Sequence, residues 1–420
     1  MKIVYPICCG IDVHKKFIVV TIASTNDKGV TTYITKEFKT FNNDLQACLK
    51  FLLNNNCKEV CMESTGKYWI PLFNVLETDC NVVVANPKYV RAINGKKTDK
   101  KDSKWIAELH KHGLVPGSYI PCKKIRELRD LCRYMTKLTG NSSSEKNRMQ
   151  NSLTVSNIAL ASIVSDINGK SSNAIIEYIL TCDTFDIEYC KTLLKKSLKS
   201  KADEVINSIL GYKLSAEQAQ KLTICRKHHE YIQICKSELE NAINNIAKDY
   251  EYQISLISTI PGMTPKSATF VIGEIGIDMS VFENSKKLCS WAGLTPQNNE
   301  SAGKKKSVRI SRAGAYIKPL LVQCALAAIK SNKDTYFKEK YNRIKKRRGH
   351  KRAIIAIARM MLSCIYQMLS TNSTFEPKDR NYLDMSEKLQ EKFQNKAIEQ
   401  AMYILMKQGY TVVKNEVVTT

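Results

Sequence analysis

The stretch ICCGIDVHKKFIVVTIASTNDKGVTTYITKEF, residues 7–38, decides the fold of the N-terminal region. Residues 7–13 are a short apolar run, residues 17–23 are rich in β-branched side chains, and residues 31–38 alternate after the turn signal Asn26-Asp27-Lys28-Gly29. Branched side chains pack well on a pleated surface, and Asn, Asp and Gly punctuate it, so the stretch reads as three hairpin-connected strands. Working outward, Leu45, Cys48, Leu49 and Leu52 recur at helical spacing. Residues 60–62 make a brief buried strand, Ser64 or Thr65 can cap a helix running through Leu76, and residues 81–85 make another strand. A last helix runs from Asp99 to His112. Three strands followed by alternating helices and strands describe a mixed α/β sheet over residues 1–115.

Four carboxylates stand out in this frame. Asp12 ends the first strand, Glu63 ends the fourth, and Asp99 and Asp102 open the last helix. Parallel strands end together, so Asp12 and Glu63 converge, and the i, i+3 spacing sets Asp99 and Asp102 on one helical face. Four carboxylates at close range cannot all stay ionised without cations. Hard oxygen donors suit Mg²⁺ or Mn²⁺, which stabilise the charge that builds on phosphate oxygens during cleavage. Taken singly, Asp99 and Asp102 also fit as helix caps that favour the dipole. The element order is that of ribonuclease-H-like nuclease folds, so topology favours phosphodiester chemistry, although fold alone does not fix function.

The rest of the chain reads as mainly α. Over residues 120–250, Ile125, Leu128, Leu131, Met135 and Leu138 form one apolar stripe, which a polar loop at 140–145 is expected to interrupt. A longer helix over 215–250 carries Leu222, Tyr231, Cys235, Leu239, Ile243 and Ile246 on one face. At 1.5 Å per residue it spans on the order of 50 Å, which suits a coiled-coil arm or a bundle helix. Residues 254–370 form a second compact region, ending in an apolar helix at 353–369 that Arg359 and Gln367 mark as a core element rather than a membrane span. The expected domains are 1–115, a helical and coiled-coil region 116–253, 254–370, and a polar tail 371–420 with a helix near 385–406.

Lys and Arg number 65 against 40 Asp and Glu, a formal charge of +25, and a surface this basic attracts polyanions, nucleic acid above all. Hydrophobic residues at 43% exclude a disordered chain. The 15 cysteines are scattered without a C-x-x-C pair, which argues against a disulfide framework or zinc ribbon and fits a reducing cytoplasm. Residues 1–10 are too short and too weakly apolar for a signal peptide.

The motifs GIDVHKK (10–16), MESTGKYW (62–69) and KTDKKDS (97–103) resemble the acidic signature of DEDD-type insertion-sequence transposases, the insertion-sequence one-ten family, whose elements encode a bridge RNA. IPGMTPKSA (260–268), WAGLTP (291–296) and SAGKKKSVRISRAG (301–314) are similar to that family's C-terminal transposase domain. The resemblance covers residues 1–115 and 254–370, and the helical middle by pattern only. It implies a junction-resolvase-like domain in which Asp12, Glu63, Asp99 and Asp102 are catalytic and bind metal. It also implies a serine nucleophile, which Ser301 matches by position, and a structured guide RNA that pairs with donor and target DNA. Dimers joining into a tetramer belong to the same implication. Ala302 stands where glycine is usual, and Ala315 and Ile317-Lys318 replace asparagine and leucine-arginine, departures that bear on loop geometry.

Read from the residues alone, Ser301 is a serine in a polar, basic loop, and Ser307 and Ser311 compete with it. A serine hydroxyl is a weak nucleophile that needs a base, a metal or cationic neighbours. Lys304, Lys305, Lys306, Arg309 and Arg312 can hold a phosphate there. Residues 260–268 resemble a helix-hairpin-helix turn, with Gly262 and Lys266 as candidate phosphate contacts; a plain turn between packed helices fits too. The run YNRIKKRRGHKR (341–352) offers Arg343, Lys345, Lys346, Arg347, Arg348, Lys351 and Arg352 to backbone phosphate, or simply to solvent. Tyr68, Trp69 and Tyr89 can stack on bases or fill a core. Three functions fit this pattern: an RNA-guided serine transposase, a metal-only Holliday-junction-type nuclease, and a non-catalytic nucleic-acid-binding protein. A covalent protein–DNA link separates the first two, and the full set of carboxylates argues against the third.

Overall fold

The computed structural model describes residues 2–64, 66–90, 99–296, 299–301, 304–307, 309–331 and 334–377, with positions 395, 398, 402, 405 and 406. The helix expected near 385–406 lies outside the described residues apart from those few positions, as does Thr65. The chain divides after Pro121 into two compact units.

The first unit is built on β1 (Ile7–Val13), β2 (Phe17–Thr25), β3 (Thr31–Lys39), α1 (Asn42–Asn54), β4 (Glu59–Glu63), α2 (Trp69–Leu76), β5 (Asn81–Ala85), α3 (Pro87–Val90) and α4 (Asp99–Lys111). The sheet order is β3-β2-β1-β4-β5, with the hairpin strands antiparallel and β1, β4 and β5 parallel. The two-residue period of a strand divides β1 between two faces. Cys9, Ile11 and Val13 join Leu45, Leu52, Leu72 and Leu76 of α1 and α2 in the main core, and Trp69 packs on its edge. Helix α2 begins one residue after Tyr68, with no side-chain cap, so Ser64 does not start it. The other face of β1 carries Cys8, Gly10 and Asp12, and there Cys8 packs with Ala107 of α4.

Gly10 sets how close α4 comes. A Cβ at this position would lie 2.2 Å from the backbone nitrogen of Ala107 and 2.3 Å from the carbonyl oxygen of Ser103. Helix backbone therefore rests directly on strand backbone, a contact only glycine permits. The buried hydroxyls of Thr21 and Ser103 lock it at 2.7 Å. Gly10→Ala is expected to push α4 off β1 and lower stability by about 3 kcal/mol, the upper end for overpacking, because the clash is with backbone. Denaturant unfolding with an unchanged midpoint would show that the close approach is dispensable.

The second unit opens with α5 (Lys123–Val155), followed by α6 (Lys170–Thr181), α7 (Ile187–Thr192), α8 (Ala202–Asn207) and α9 (Ala216–Ala247). Helix α5 is continuous for 33 residues through Gly140, so no loop interrupts it at 140–145. The hydroxyls of Ser143 and Ser144 donate to the carbonyls of Thr139 and Gly140, one turn back, and so satisfy themselves inside the helix. Tertiary packing overrides the weak local propensity. The partner is α9: Lys124 meets Asp249 just beyond it at 2.7 Å, Ser142 meets Gln233 at 2.9 Å, and Glu145 meets His228 at 2.8 Å. Rising numbers on one helix against falling numbers on the other make the pair antiparallel. The long helix expected at 215–250 thus pairs within its own chain. Helices α6 to α8 close a separate small core around Ile175, Ile176, Val205 and Ile209.

The unit continues with α10 (Glu251–Ser258), α11 (Pro265–Ile275), α12 (Ser285–Trp291), the short strands β6 (Asn299–Ser301) and β7 (Lys304–Ser307), α13 (Ile317–Lys330), α14 (Tyr336–Arg348) and α15 (His350–Thr371). Among the described residues α15 is the one helix long and apolar enough to cross a membrane. It buries Ala353, Ile357, Met361 and Ile365 against the helices around it, as a core helix does.

Candidate metal centre and nucleic-acid interface

The acidic residues meet because two strands end together under a helix start. In the parallel pairing of β1 with β4, Ile11 stands opposite Met62, so one step on Asp12 and Glu63 occupy adjacent strand ends on one face. That is the face Gly10 opens to α4, whose first turn carries Asp99 and Asp102. The helix N-terminus favours negative charge there. Asp12, His14 and Asp99 each offer a ligand atom within 4.8 Å of the others. Two oxygens bound to one divalent ion at roughly 2.1–2.5 Å reach a comparable separation. His14 Nε2 lies 3.1 Å from Asp12 Oδ2 and 3.4 Å from Asp99 Oδ1.

Asp12 is only 8% exposed. Burial raises its pKa above the usual carboxylate range, His14 opposes the shift, and the charges of Asp99 and Asp102 add to it. A buried carboxylate crowded by two others is a poor anion alone and a good ligand for a cation. The donor set, mainly carboxylate oxygen, fits a hard divalent ion. The structure therefore brings ligand atoms of Asp12, His14 and Asp99 together; Asp102 follows on the first turn of α4 and Glu63 stands at the neighbouring strand end, and neither joins that group. His14 was not among the expected site residues. It lies just past the end of β1 and becomes a site residue only because α4 brings Asp99 to its ring.

In the second unit the motifs WAGLTP and SVRISRAG interlock. A Cβ on Gly293 would lie 2.4 Å from the carbonyl oxygen of Ala313, and one on Gly314 would lie 2.1 Å from that of Ala292. Pro296 bridges to Ile310. Lys318 Nζ donates to the carbonyls of Ser311 and Ala313 at 2.7 and 2.8 Å. Lys318 thus ties this loop down, and burial lowers its pKa. The interlocked loops flank the β6–β7 hairpin, in which Ser301 pairs with Lys304. The side chains of Ser301, Lys304, Lys305, Lys306 and Ser307 lie outside the described residues, as does that of Tyr89. Ser311 accepts a bond from the Ala313 N–H at 3.3 Å, a turn role. Arg309 and Arg312 are exposed.

The 260–268 turn has a packing explanation. Gly262 has a φ of +83°, and a Cβ there would lie 2.5 Å from the carbonyl oxygen of Cys324 on α13. Thr264 caps α11 through the Ser267 N–H, and Lys266 pairs with Glu240 at 2.7 Å. The basic run at 343–352 is different. It spans the end of α14 and the start of α15 around Gly349, a corner pinned by a 2.7 Å bond between the Tyr341 hydroxyl and His350 Nδ1. Arg343, Lys345, Lys346, Arg347, Arg348, Lys351 and Arg352 are all exposed, and among the described residues none makes an ion pair. Tyr68 is exposed too, whereas Trp69 meets Phe73 edge-on at the border of the core.

Two family models match the chain. One, described as a transposase of the DEDD type, takes in residues 9–158, and the other, described as transposase IS116/IS110/IS902 family, takes in residues 254–342. Together they cover more than half of the chain. Two curated relatives are the pilin gene-inverting proteins of Moraxella lacunata and Moraxella bovis, 28% and 27% identical over 138 residues. That stretch is 32% of this chain and 42% of each relative, so the match spans less than half of their length.

Proposed function

The chain belongs to the IS110 family of transposases, and from that premise we propose that it cuts and rejoins DNA as a recombinase. The observation that carries this reading is the group formed by buried Asp12 with His14 and Asp99, whose ligand atoms all lie within 4.8 Å of one another. The strand order β3-β2-β1-β4-β5 supports a ribonuclease-H-like first unit. In this reading Asp12, Glu63, Asp99 and Asp102 hold Mg²⁺ or Mn²⁺, with His14 as a further donor or as the hydrogen-bond partner that orients Asp12. Bound there, the ion supplies charge stabilisation to phosphate oxygens. Ser301 is the nucleophile. Its oxygen forms a bond to a DNA phosphorus, the bond from that phosphorus to a deoxyribose oxygen breaks, and the departing oxygen takes up a proton while the serine gives one up. Rejoining reverses these steps. The relatives' printed function, inversion of a gene, is also a cut-and-rejoin outcome. A structured guide RNA is the proposed reader of donor and target DNA, and a homo-oligomer, dimer to tetramer, the proposed assembly.

The test is recombination between two plasmids in cells that express the chain with its flanking non-coding DNA. Joined products that require the chain support the reading, and their absence with the intact chain and RNA overturns it. The basic corner gives a separate expectation. Replacing Lys345, Lys346, Arg347 and Arg348 with Ala should weaken binding to all DNA sequences alike. The salt slope of log affinity should fall by roughly one unit per lost phosphate contact. An unchanged slope in titrations across salt concentrations would make the corner a solvated surface.

A further inference from the structure

The second unit holds a cleft of about 310 Å³ among α5, α9, α11 and the start of α13. Its walls include Phe270 and Tyr316, and its charged groups are Arg133, Lys236, Lys266 and Glu274. Most of that charge is internally settled. The buried carboxylate of Glu274 takes both Nε and Nη2 of Arg133, at 2.7 and 2.8 Å. The same guanidinium lies 4.7 Å from the centre of the Tyr316 ring and fixes that ring in place. Lys266 is matched by Glu240. Lys236 is half-buried and, among the described residues, makes no ion pair. The cleft therefore carries one uncompensated positive charge beside two aromatic walls.

We propose that this cleft receives one unstacked nucleotide of a single nucleic-acid strand, its base against Tyr316 and Phe270 and its phosphodiester at Lys236. The proposal rests on the recombinase reading, because strand exchange exposes single strands. The chemistry selects the ligand. A phosphodiester bears a single negative charge and so matches Lys236, whereas a terminal phosphate would bring more charge than the cleft offsets. Aromatic faces take any base by stacking. The volume lies at the small end of the roughly 300–1,000 Å³ of ligand sites, so it holds one nucleotide and excludes a duplex, whose bases are already stacked.

Fluorescence anisotropy of the full chain tests this with three labelled probes of one sequence: single-stranded DNA, single-stranded RNA and duplex DNA. Lys236→Gln removes the free charge from a half-exposed helix position, and Tyr316→Leu removes a wall; circular dichroism checks the fold of each. Both variants should lose affinity for single strands by about tenfold, the scale of one base stack, while duplex affinity stays within about twofold. The strand type that loses more identifies the occupant as DNA or RNA. Unchanged single-strand binding by Lys236→Gln, or an equal loss for duplex, overturns the proposal. If that happens while the parent chain still recombines plasmids, only the cleft assignment falls. A parent chain that binds none of the probes sinks the recombinase reading with it.

Discussion

Asp12→Asn is expected to slow strand cleavage by roughly a thousandfold or more while leaving the first unit folded. The rate effect follows from the proposed metal, since several kcal/mol of charge stabilisation at phosphate would go with it. The stability effect follows from the geometry. Asp12 is buried, and its pKa is raised by that burial and by Asp99 and Asp102 against the pull of His14. A carboxyl whose folded pKa lies above its unfolded value contributes stability at low pH, and that contribution is lost as pH rises through the folded pKa. In metal-free protein at neutral pH, the Asp12 anion therefore works against folding. Asn keeps the shape and removes the charge, so Asp12→Asn should melt at or above the parent temperature without metal. Added Mg²⁺ should raise the melting temperature of the parent more than that of the variant, because it binds the native carboxylates. Cleavage assays and thermal melts with and without Mg²⁺ check both halves. Full cleavage by the variant, or by the parent in excess chelator, would remove the cluster from the reaction.

Much of this site was legible because its parts are local. Strands β1 to β5 follow from branched residues and turn signals within a few positions of each other, and Asp12 and Glu63 stand at strand ends for the same reason. What was not legible depends on distant partners. Gly10 looks like an ordinary strand glycine until Ser103 and Ala107 arrive from the far end of the unit to touch its backbone. His14 looks like a lone polar residue until α4 delivers Asp99 to its ring. Gly140 and the serines after it spell a loop by composition, yet the antiparallel fit of α5 to α9 keeps them helical. The same pairing changes the meaning of the long 216–247 helix. Its sequence fits a coiled-coil arm or a bundle helix, and part of its apolar face, Leu222 and Ile243, is buried inside one chain, while Tyr231 stays exposed. At Gly262 the sequence offered two readings, and contact with Cys324 and Ala328 favours the packed turn. Lys318 likewise ties down its loop, through two carbonyls.

Denaturing the complex in mid-reaction is expected to trap DNA covalently on Ser301, and Ser301→Ala is expected to form no adduct at all. Ser301 closes β6 opposite Lys304, at a hairpin flanked by the interlocked 291–296 and 309–314 segments. Each crossing of those segments brings backbone within reach of backbone, and Lys318 clamps one of them. A nucleophile needs such support nearby, because attack depends on holding oxygen and phosphorus within a narrow range of distance and angle. The competing serines differ in kind. Ser311 already accepts the Ala313 N–H in its own turn, and Ser307 lies on β7 across from Asn299. A phosphoserine link also conserves the bond energy of the phosphodiester, so the strand can be rejoined to a new partner without an external energy source. Removing the hydroxyl therefore removes both the cut and the join, and the expected loss of recombination is complete rather than partial. Nuclease digestion of the trapped complex followed by peptide mass spectrometry should leave a nucleotide mass on the peptide containing Ser301. An adduct on Ser307, Ser311 or a tyrosine would move the nucleophile there. Cleavage without any adduct, still dependent on Asp12, would leave the carboxylates to act as a metal-only nuclease.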